Sequence, residues 1–89
     1  MKAVITVVGK DTVGILAKVS VLCAEYGANI IDVSQTVMQD MFCMIMMADI
    51  SNCSIPFAEF KAQLEDKSEQ LGLSIHVMHE DIFNSMHRI

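Results

Sequence analysis

Two short segments of the chain, residues 3–8 and 42–48, are apolar at nearly every position. The first is rich in β-branched residues and is followed by Gly9, which is typical of a strand. Because successive side chains of a strand point to opposite faces of a sheet, each segment would present two apolar faces. Strands of this kind lie in the centre of a sheet and need a cover on both sides.

The rest of the chain alternates between the periodicities of helices and strands. Apolar residues recur at helical spacing from Ile15 to Tyr26, and Gly27 is placed to end that helix in a left-handed conformation. Pro56 suits the first turn of a second helix, which Gly72 closes. The predicted order is strand, helix, strand, strand, helix, strand and short helix, over residues 3–8, 15–26, 30–39, 42–50, 56–71, 73–77 and 80–89.

The second predicted strand alternates between apolar and polar residues. Ile31, Val33 and Val37 are expected to share the apolar face, and the turn that follows is predicted at residues 39–41. The residues expected on the polar face are Asp32, Ser34 and Thr36.

The element order βαββαβ with two right-handed crossovers predicts an α+β, ferredoxin-like sandwich with sheet order 4-1-3-2 and both helices on one face. We predict one domain over residues 1–79 and a C-terminal helical tail over residues 80–89. Two helices can cover only one face of the sheet. The other face would leave an apolar patch in water unless the tail or a second subunit covers it, and we therefore predict a homodimer through this face.

The composition excludes several classes of protein. An apolar fraction of 53% excludes a disordered chain, and 6 basic against 11 acidic residues disfavour nucleic acid and anionic membranes as partners. The longest apolar run, Met41–Ala48, is far shorter than the ~20 residues that span a bilayer. Cys23, Cys43 and Cys53 form no disulfide or zinc pattern, and free thiols suit a reducing compartment. We expect a cytoplasmic protein without a bound metal or cofactor.

The main candidate site is the segment that joins the first strand to the first helix, Gly9-Lys10-Asp11-Thr12-Val13-Gly14. Asp11 or Thr12 can cap the helix, and Gly14 in its first turn lets a ligand or another backbone approach closely. Backbone N–H groups at the start of a helix bind carboxylates, and Asp11 could pair with an ammonium. Together these groups suit a zwitterion, although an ordinary N-cap beside a tight turn explains the same spacing.

These residues belong to a longer pattern that resembles the ACT domain. The pattern is Asp11-x-x-Gly14-Ile15 through Val19, then Gly27-Ala28-Asn29-Ile30-Ile31-Asp32, then Phe42-x-Met44-x-Met46. The resemblance covers nearly the whole chain and is greatest to the small stand-alone ACT-domain proteins of bacteria. The chain is also similar to the N-terminal ACT modules of formyltetrahydrofolate deformylase and of the glycine-cleavage transcriptional repressor.

The resemblance implies a regulatory module that usually dimerises and often binds an amino acid at the subunit interface. In ACT domains of the phosphoglycerate dehydrogenase type, serine is held by a His that ends the first strand, an Asn two residues later and an Asn that opens the second strand. The matching positions here are Gly9, Asp11 and Asn29. Gly9 supplies no imidazole, which disfavours serine, and Asn29 could instead satisfy backbone groups near the preceding turn. The implied ligand-binding residues are Gly9, Lys10, Asp11, Thr12, Gly14, Asn29 and Ile30.

We consider three functions for a chain with this pattern. The first is a non-enzymatic sensor of an amino acid, and the second is a ligand-free interaction module that regulates a separate metabolic enzyme or regulator. The third, a small hydrolase on the same fold, needs an Arg in a phosphate-binding loop, whereas Arg88 at the far end is the only Arg. His76 and His79 would lie on opposite faces of a strand, which disfavours a metal site. We therefore predict a regulator without catalysis.

Overall fold

The computed structural model describes residues 1–10 and 14–86, apart from the side chains of residues 83, 85 and 86. Within this part, the four strands are antiparallel and lie in the order β2-β3-β1-β4, which is the predicted order read from the other edge. The predicted α+β, ferredoxin-like fold is confirmed. The elements are β1 (Lys2–Lys10), α1 (Ile15–Glu25), β2 (Asn29–Met38), β3 (Met41–Asp49), α2 (Phe57–Leu71), β4 (Leu73–His79) and α3 (Glu80–Met86).

One face of the sheet packs against α1 and α2 and forms the core. α1 contributes a narrow stripe of three buried residues, Ile15, Val19 and Cys23, because positions four residues apart lie on one side of a helix. Leu16 belongs to the apolar pattern that predicted a helix from Ile15 to Tyr26, but it lies outside this stripe and is 38% exposed. The core is completed by Ala3, Ile5, Val7, Ala28, Phe42, Met44, Met46, Ala48, Ile50, Phe60, Leu64, Leu73, Ile75 and Val77.

α1 ends in a backbone motif that favours glycine, as predicted. Gly27 has a φ of 81°, its N–H donates to Ala24 O at 3.1 Å, and the Ala28 N–H donates to Cys23 O at 3.0 Å. This pair of hydrogen bonds is the Schellman motif. A Cβ on Gly27 would lie 3.0 Å from Asn52 O, so the position is also closed to larger residues.

The opposite, outer face of the sheet is covered in part by α3. Val4 points to this face and is 1% exposed, and α3 lies against β1 and β4. Lys2 Nζ and Glu80 Oε2 lie 4.0 Å apart at the start of α3. On β3, Ile45 is 46% exposed and Met41 is 39% exposed. α3 therefore covers Val4 at one end of the outer face, whereas Ser74 and His76 of β4 are exposed there in the single chain, as are Ile45 and Met41 of β3.

β2 contains a bulge that the sequence pattern did not predict. Its pairing with β3 shifts between Ile30 and Asp32, so Ile31 is an extra residue. Ile30 and Val33 pack against the core, whereas Ile31 is 47% exposed. The prediction that Ile31 and Val33 share the apolar face was wrong, because strict alternation takes no account of an inserted residue.

The free edge of β4 is bound by two side chains of α2, which we call the β4 clamp. Glu65 Oε2 accepts hydrogen bonds from the Val77 N–H at 3.0 Å and from Lys61 Nζ at 2.6 Å. Lys61 Nζ also donates to Val77 O at 3.1 Å. Partial burial acts to raise the pKa of Glu65, but these hydrogen bonds and the Lys61 charge outweigh it, so the pKa lies below its ordinary value.

Gly27→Ala is expected to destabilise the fold more than Gly72→Ala. Both glycines have a positive φ, 81° and 69°, a conformation that costs other residues about 1–2 kcal/mol. A new Cβ at Gly27 would also press on Asn52 O, whereas at Gly72 it would meet none of the described heavy atoms within 4 Å. Urea unfolding measures both losses, and equal losses would contradict the role given to Asn52.

Removal of residues 80–89 is expected to lower the free energy of unfolding by about 1–3 kcal/mol, because Val4 loses its cover. Ile82→Ser is the matched control, since Ile82 is 55% exposed and its replacement should change little. Thermal unfolding compares the three proteins. An unchanged melting temperature in the truncated chain would show that α3 does not stabilise the sheet.

Glu65→Gln is expected to make the fold less sensitive to acid. Because the folded-state pKa of Glu65 is lowered from 4.5, its carboxylate stabilises the fold above that pH. This contribution is lost as the pH falls through the folded-state pKa. Urea unfolding should therefore separate wild type from the variant at neutral pH and bring them together once the pH has fallen below the folded-state pKa of Glu65. Glu69→Gln, on the exposed side of α2, is the control. A difference in stability between wild type and Glu65→Gln that stays constant with pH would contradict this role of Glu65.

Candidate ligand site

The candidate site lies where β1 is followed by α1. β1 ends at Lys10, and α1 begins at Ile15 with Gly14 as its N-cap. Gly14 has a φ of 84° and a ψ of 16°, and no side chain in the described part of the chain caps the helix. α1 starts at Ile15, as the apolar spacing predicted, with Gly14 at the N-cap position. The residues predicted to cap this helix are Asp11 and Thr12. Both residues lie outside the described residues.

The start of α1 carries backbone donors that the helix itself does not use. The Lys18 N–H donates to Gly14 O at 2.9 Å, so the N–H groups of residues 15–17 precede the helical hydrogen bonds. These groups and the helix dipole suit a carboxylate. A Cβ on Gly14 would meet none of the described heavy atoms within 4 Å. Glycine is therefore required here for its left-handed backbone and not for a close approach within the described chain.

Packing against β4 explains why residue 9 is a glycine, and the sequence did not reveal this. A Cβ on Gly9 would lie 2.5 Å from Leu73 Cδ2. Gly9 pairs with Leu73 of β4 and with Phe42 of β3, and these side chains are 8% and 9% exposed. The position that matches an imidazole in the phosphoglycerate dehydrogenase type is thus covered by an apolar side chain. The predicted sheet order already placed the first strand beside the last. Leu73 could have been identified as the neighbour of Gly9 only if the register of these two strands had also been known.

Asn29 and Ile30 lie at the opposite end of the sheet. Asn29 pairs with Asp49, which pairs with Lys2, and Lys2 precedes Gly9 by seven residues in β1. At about 3.4 Å per residue, Asn29 and Gly9 are separated by about 24 Å along the strands. Ile30 packs against the core, whereas Asn29 is exposed. A single chain therefore does not bring the β1–α1 junction and Asn29 into one site.

Other reactive side chains are dispersed. His76 is exposed, whereas His79 contacts Phe57 of α2 on the core side with ring centroids 5.8 Å apart, so the two histidines lie on opposite faces as predicted. Within residues 1–10 and 14–86, no three His, Cys, Asp or Glu side chains could hold a metal ion, and His87 lies outside this part. Burial raises the pKa of the Cys23 thiol to about 11. No helix in the described chain is long and apolar enough to cross a membrane.

The sheet order, the placement of both helices on one face and the glycine-capped junction agree with the domain class that the sequence resembles. A family model for the ACT domain matches residues 2–78. The protein belongs to the ACT-domain family, whose members are typically regulatory and bind ligands. The resemblance found in the sequence is thereby confirmed.

Relatives of the same length share about half of its residues. A UPF0237 protein of Clostridium acetobutylicum is 52% identical over 89 residues, with 100% of both chains covered. A UPF0237 protein of Methanocaldococcus jannaschii is 50% identical over 88 residues, covering 99% of this chain and 98% of the relative. An ACT domain protein from Streptococcus pneumoniae superposes with a TM-score of 0.82 at 40% identity, covering 98% of each chain.

More distant solved structures also share the fold. A putative glycine cleavage system transcriptional repressor superposes with a TM-score of 0.72 at 26% identity, covering 89% of this chain and 47% of that one. A formyltetrahydrofolate deformylase from Pseudomonas syringae superposes with a TM-score of 0.77 at 20% identity, covering 88% of this chain and 27% of that one. The predicted similarity to modules of these two proteins is confirmed for the fold.

Proposed function

We propose that the protein is a non-enzymatic regulatory domain that senses an amino acid at a site shared by two copies of the chain. The observation that carries this proposal is the separation of the two predicted halves of the site. The donors at the start of α1 lie near one end of the sheet, and Asn29 lies near the other, about 24 Å away along the strands. A ligand that contacts both needs Asn29 from a second copy. Membership of a typically ligand-binding family supports the proposal.

Pairing of two β2 strands would complete the site. β2 is an edge strand, so it can add a second β2 strand about a two-fold axis near Ser34. The two strands would be antiparallel, with Asn29 of one copy beside Met38 of the other. Met38 pairs with Met41, which pairs with Lys10, so this is the end that leads to α1. We propose this β2–β2 dimer in place of the outer-face dimer, because α3 already occupies part of the outer face.

The groups at the junction suit the two charges of an amino acid. The N–H groups of residues 15–17 would bind its carboxylate, and Asp11 would bind its ammonium. Gly14 keeps a side chain away from the helix start. Since Gly9 offers no imidazole and Leu73 covers that position, we expect a ligand with an apolar side chain rather than serine.

A ligand-free interaction module that regulates a separate enzyme is the second candidate. The β3 part of the outer face supports it, since Ile45 and Met41 are exposed and Cys43 and Met47 are only half-buried. An apolar surface of this kind is typical of protein–protein contacts.

Several features are common to both candidates. We place either function in the cytoplasm, because Cys23, Cys43 and Cys53 are free thiols. We assign it to a domain over residues 1–79, with residues 80–89 as a tail. A net charge of −5 argues against nucleic acid and anionic membranes as partners.

A calorimetric screen against the common amino acids tests the ligand. Asp11→Ala and Asn29→Ala are each expected to weaken binding about 10- to 150-fold, since a hydrogen bond to a charged group contributes about 1.5–3 kcal/mol. Ser74→Ala, at an exposed position on β4, is the control and should leave the affinity unchanged. If no amino acid binds to wild type, the proposal of an amino-acid sensor is wrong and the interaction module is favoured.

Mixing the two variants tests whether the site is shared. After joint unfolding and refolding, about half of the dimers would contain one chain of each kind, and one of their two sites would have both residues. About a quarter of all sites should then bind with wild-type affinity. The control is Asp11→Ala mixed with the double variant Asp11→Ala/Asn29→Ala. No site in this mixture should bind with wild-type affinity, because every chain lacks Asp11. Absence of recovery in the first mixture would contradict a shared site.

A further inference from the structure

The outward backbone groups of β4 are occupied by the β4 clamp. In an antiparallel strand, the N–H and C=O groups of alternate residues point to opposite neighbours. The Val77 N–H and C=O bond to Glu65 and Lys61 of α2, so they point away from β1. These are the groups that a strand added to β4 would use. The clamp therefore closes this edge of the sheet near its middle.

The clamp is fixed in place by the core. Lys61 and Glu65 lie one helical turn apart, and their side chains are 44% and 28% exposed. The residues immediately before them, Phe60 and Leu64, are fully buried. Because α2 is anchored by these two side chains, an added strand would have to displace the clamp against a helix that cannot move aside.

The edge of β2 is occupied far less. The Val33 N–H donates to Asp32 Oδ1 at 2.9 Å, and Asp32 is an exposed neighbour in the same strand. Towards the end of the strand, Val37 is 53% exposed and Met38 is 61% exposed. A carboxylate on the strand itself can rotate away without moving a helix. Among the described residues, β2 is thus the edge that can accept another strand.

We propose that the β4 clamp stops self-association of this chain at the β2–β2 dimer, and this inference rests on the dimer of the proposed function. A sheet with one open edge closes as a two-fold pair, because the two β2 strands use both open edges. If β4 were also open, each dimer would present two more edges and would continue to add copies. A second copy of the chain occupies the open edge, and Lys61 and Glu65 occupy the closed one.

Light scattering during size-exclusion chromatography of full-length variants tests the clamp. Wild type is expected at about twice its chain mass of 9.9 kDa. Glu65→Ala removes the acceptor for Val77 N–H and Lys61, so species larger than a dimer should form and increase with protein concentration. Glu65→Gln keeps an oxygen for Val77 N–H and should remain dimeric. Glu69→Ala, at an exposed position on α2, is the control.

Amide exchange of Val77 gives a second readout that simple loss of stability would not imitate. In the larger species of Glu65→Ala, the Val77 N–H would pair with an added strand and remain protected. Circular dichroism checks that the variants keep their fold, and Lys61→Ala replaces Glu65→Ala if the latter unfolds. A folded clamp variant that remains dimeric and loses protection at Val77 would overturn the proposal.

The same experiment separates failure of the clamp from failure of the dimer. A monomeric wild type would contradict the β2–β2 dimer. The clamp would then be judged by whether Glu65→Ala associates where wild type does not. Association would support closure of β4, and a monomeric, folded Glu65→Ala would overturn it.

Discussion

The pairing of the central strand β1 with both of its neighbours determines where every candidate functional group lies. β1 is paired with β3 from Lys2 to Lys10 and with β4 over most of that length, and its core side chains are fully buried. Because β1, β3 and β2 are successively antiparallel, the end of β1 and the start of β2 lie at opposite ends of the sheet. A site that uses Gly9 and Asn29 therefore needs two chains. In the proposed function, dimerisation would form the site and would not be merely a source of stability.

The two edges of the sheet are unequal for a simple physical reason. Each has a carboxylate on an outward N–H, but Glu65 belongs to a helix that is anchored in the core and Asp32 belongs to the edge strand itself. Moving Glu65 away from Val77 also disturbs Lys61, which is hydrogen-bonded to both Glu65 and Val77 O, whereas Asp32 is exposed and the Val33 N–H can exchange it for water. The sheet can therefore associate in one direction without becoming an open-ended aggregate.

Much of the fold could be predicted because burial leaves a periodic pattern in the sequence. The two-faced apolar segments identified the central strands, and Gly27 marked the end of α1. The pattern failed where one position depended on a distant contact. Leu73 covers Gly9 only because β4 pairs with β1 in one register, and the bulge at Ile31 is invisible to a rule of strict alternation.

The candidate site was harder to predict than the fold. Asp11 and Thr12 have side chains that favour N-caps, but a glycine with a φ of 84° precedes the first turn of α1 and takes that position. The apolar pattern also predicted that the outer face is covered, and we assigned that cover to a second subunit, but hydrophobicity specifies burial and not the partner. In the single chain, α3 covers Val4, whereas Ile45 is exposed.

The distance between the β2 strands of two copies shows whether two sheets join through this edge. With the native cysteines replaced by alanine, a spin label is attached through a new cysteine at Ser34 or, separately, at Ser74, both exposed on edge strands. If two sheets join through β2, strands about 4.8 Å apart place the two Ser34 backbones within about 10 Å and the two β4 strands about 34 Å apart. The account predicts strong coupling between labels at Ser34 and weak coupling at Ser74. The reverse result, or no coupling at either position, would contradict it.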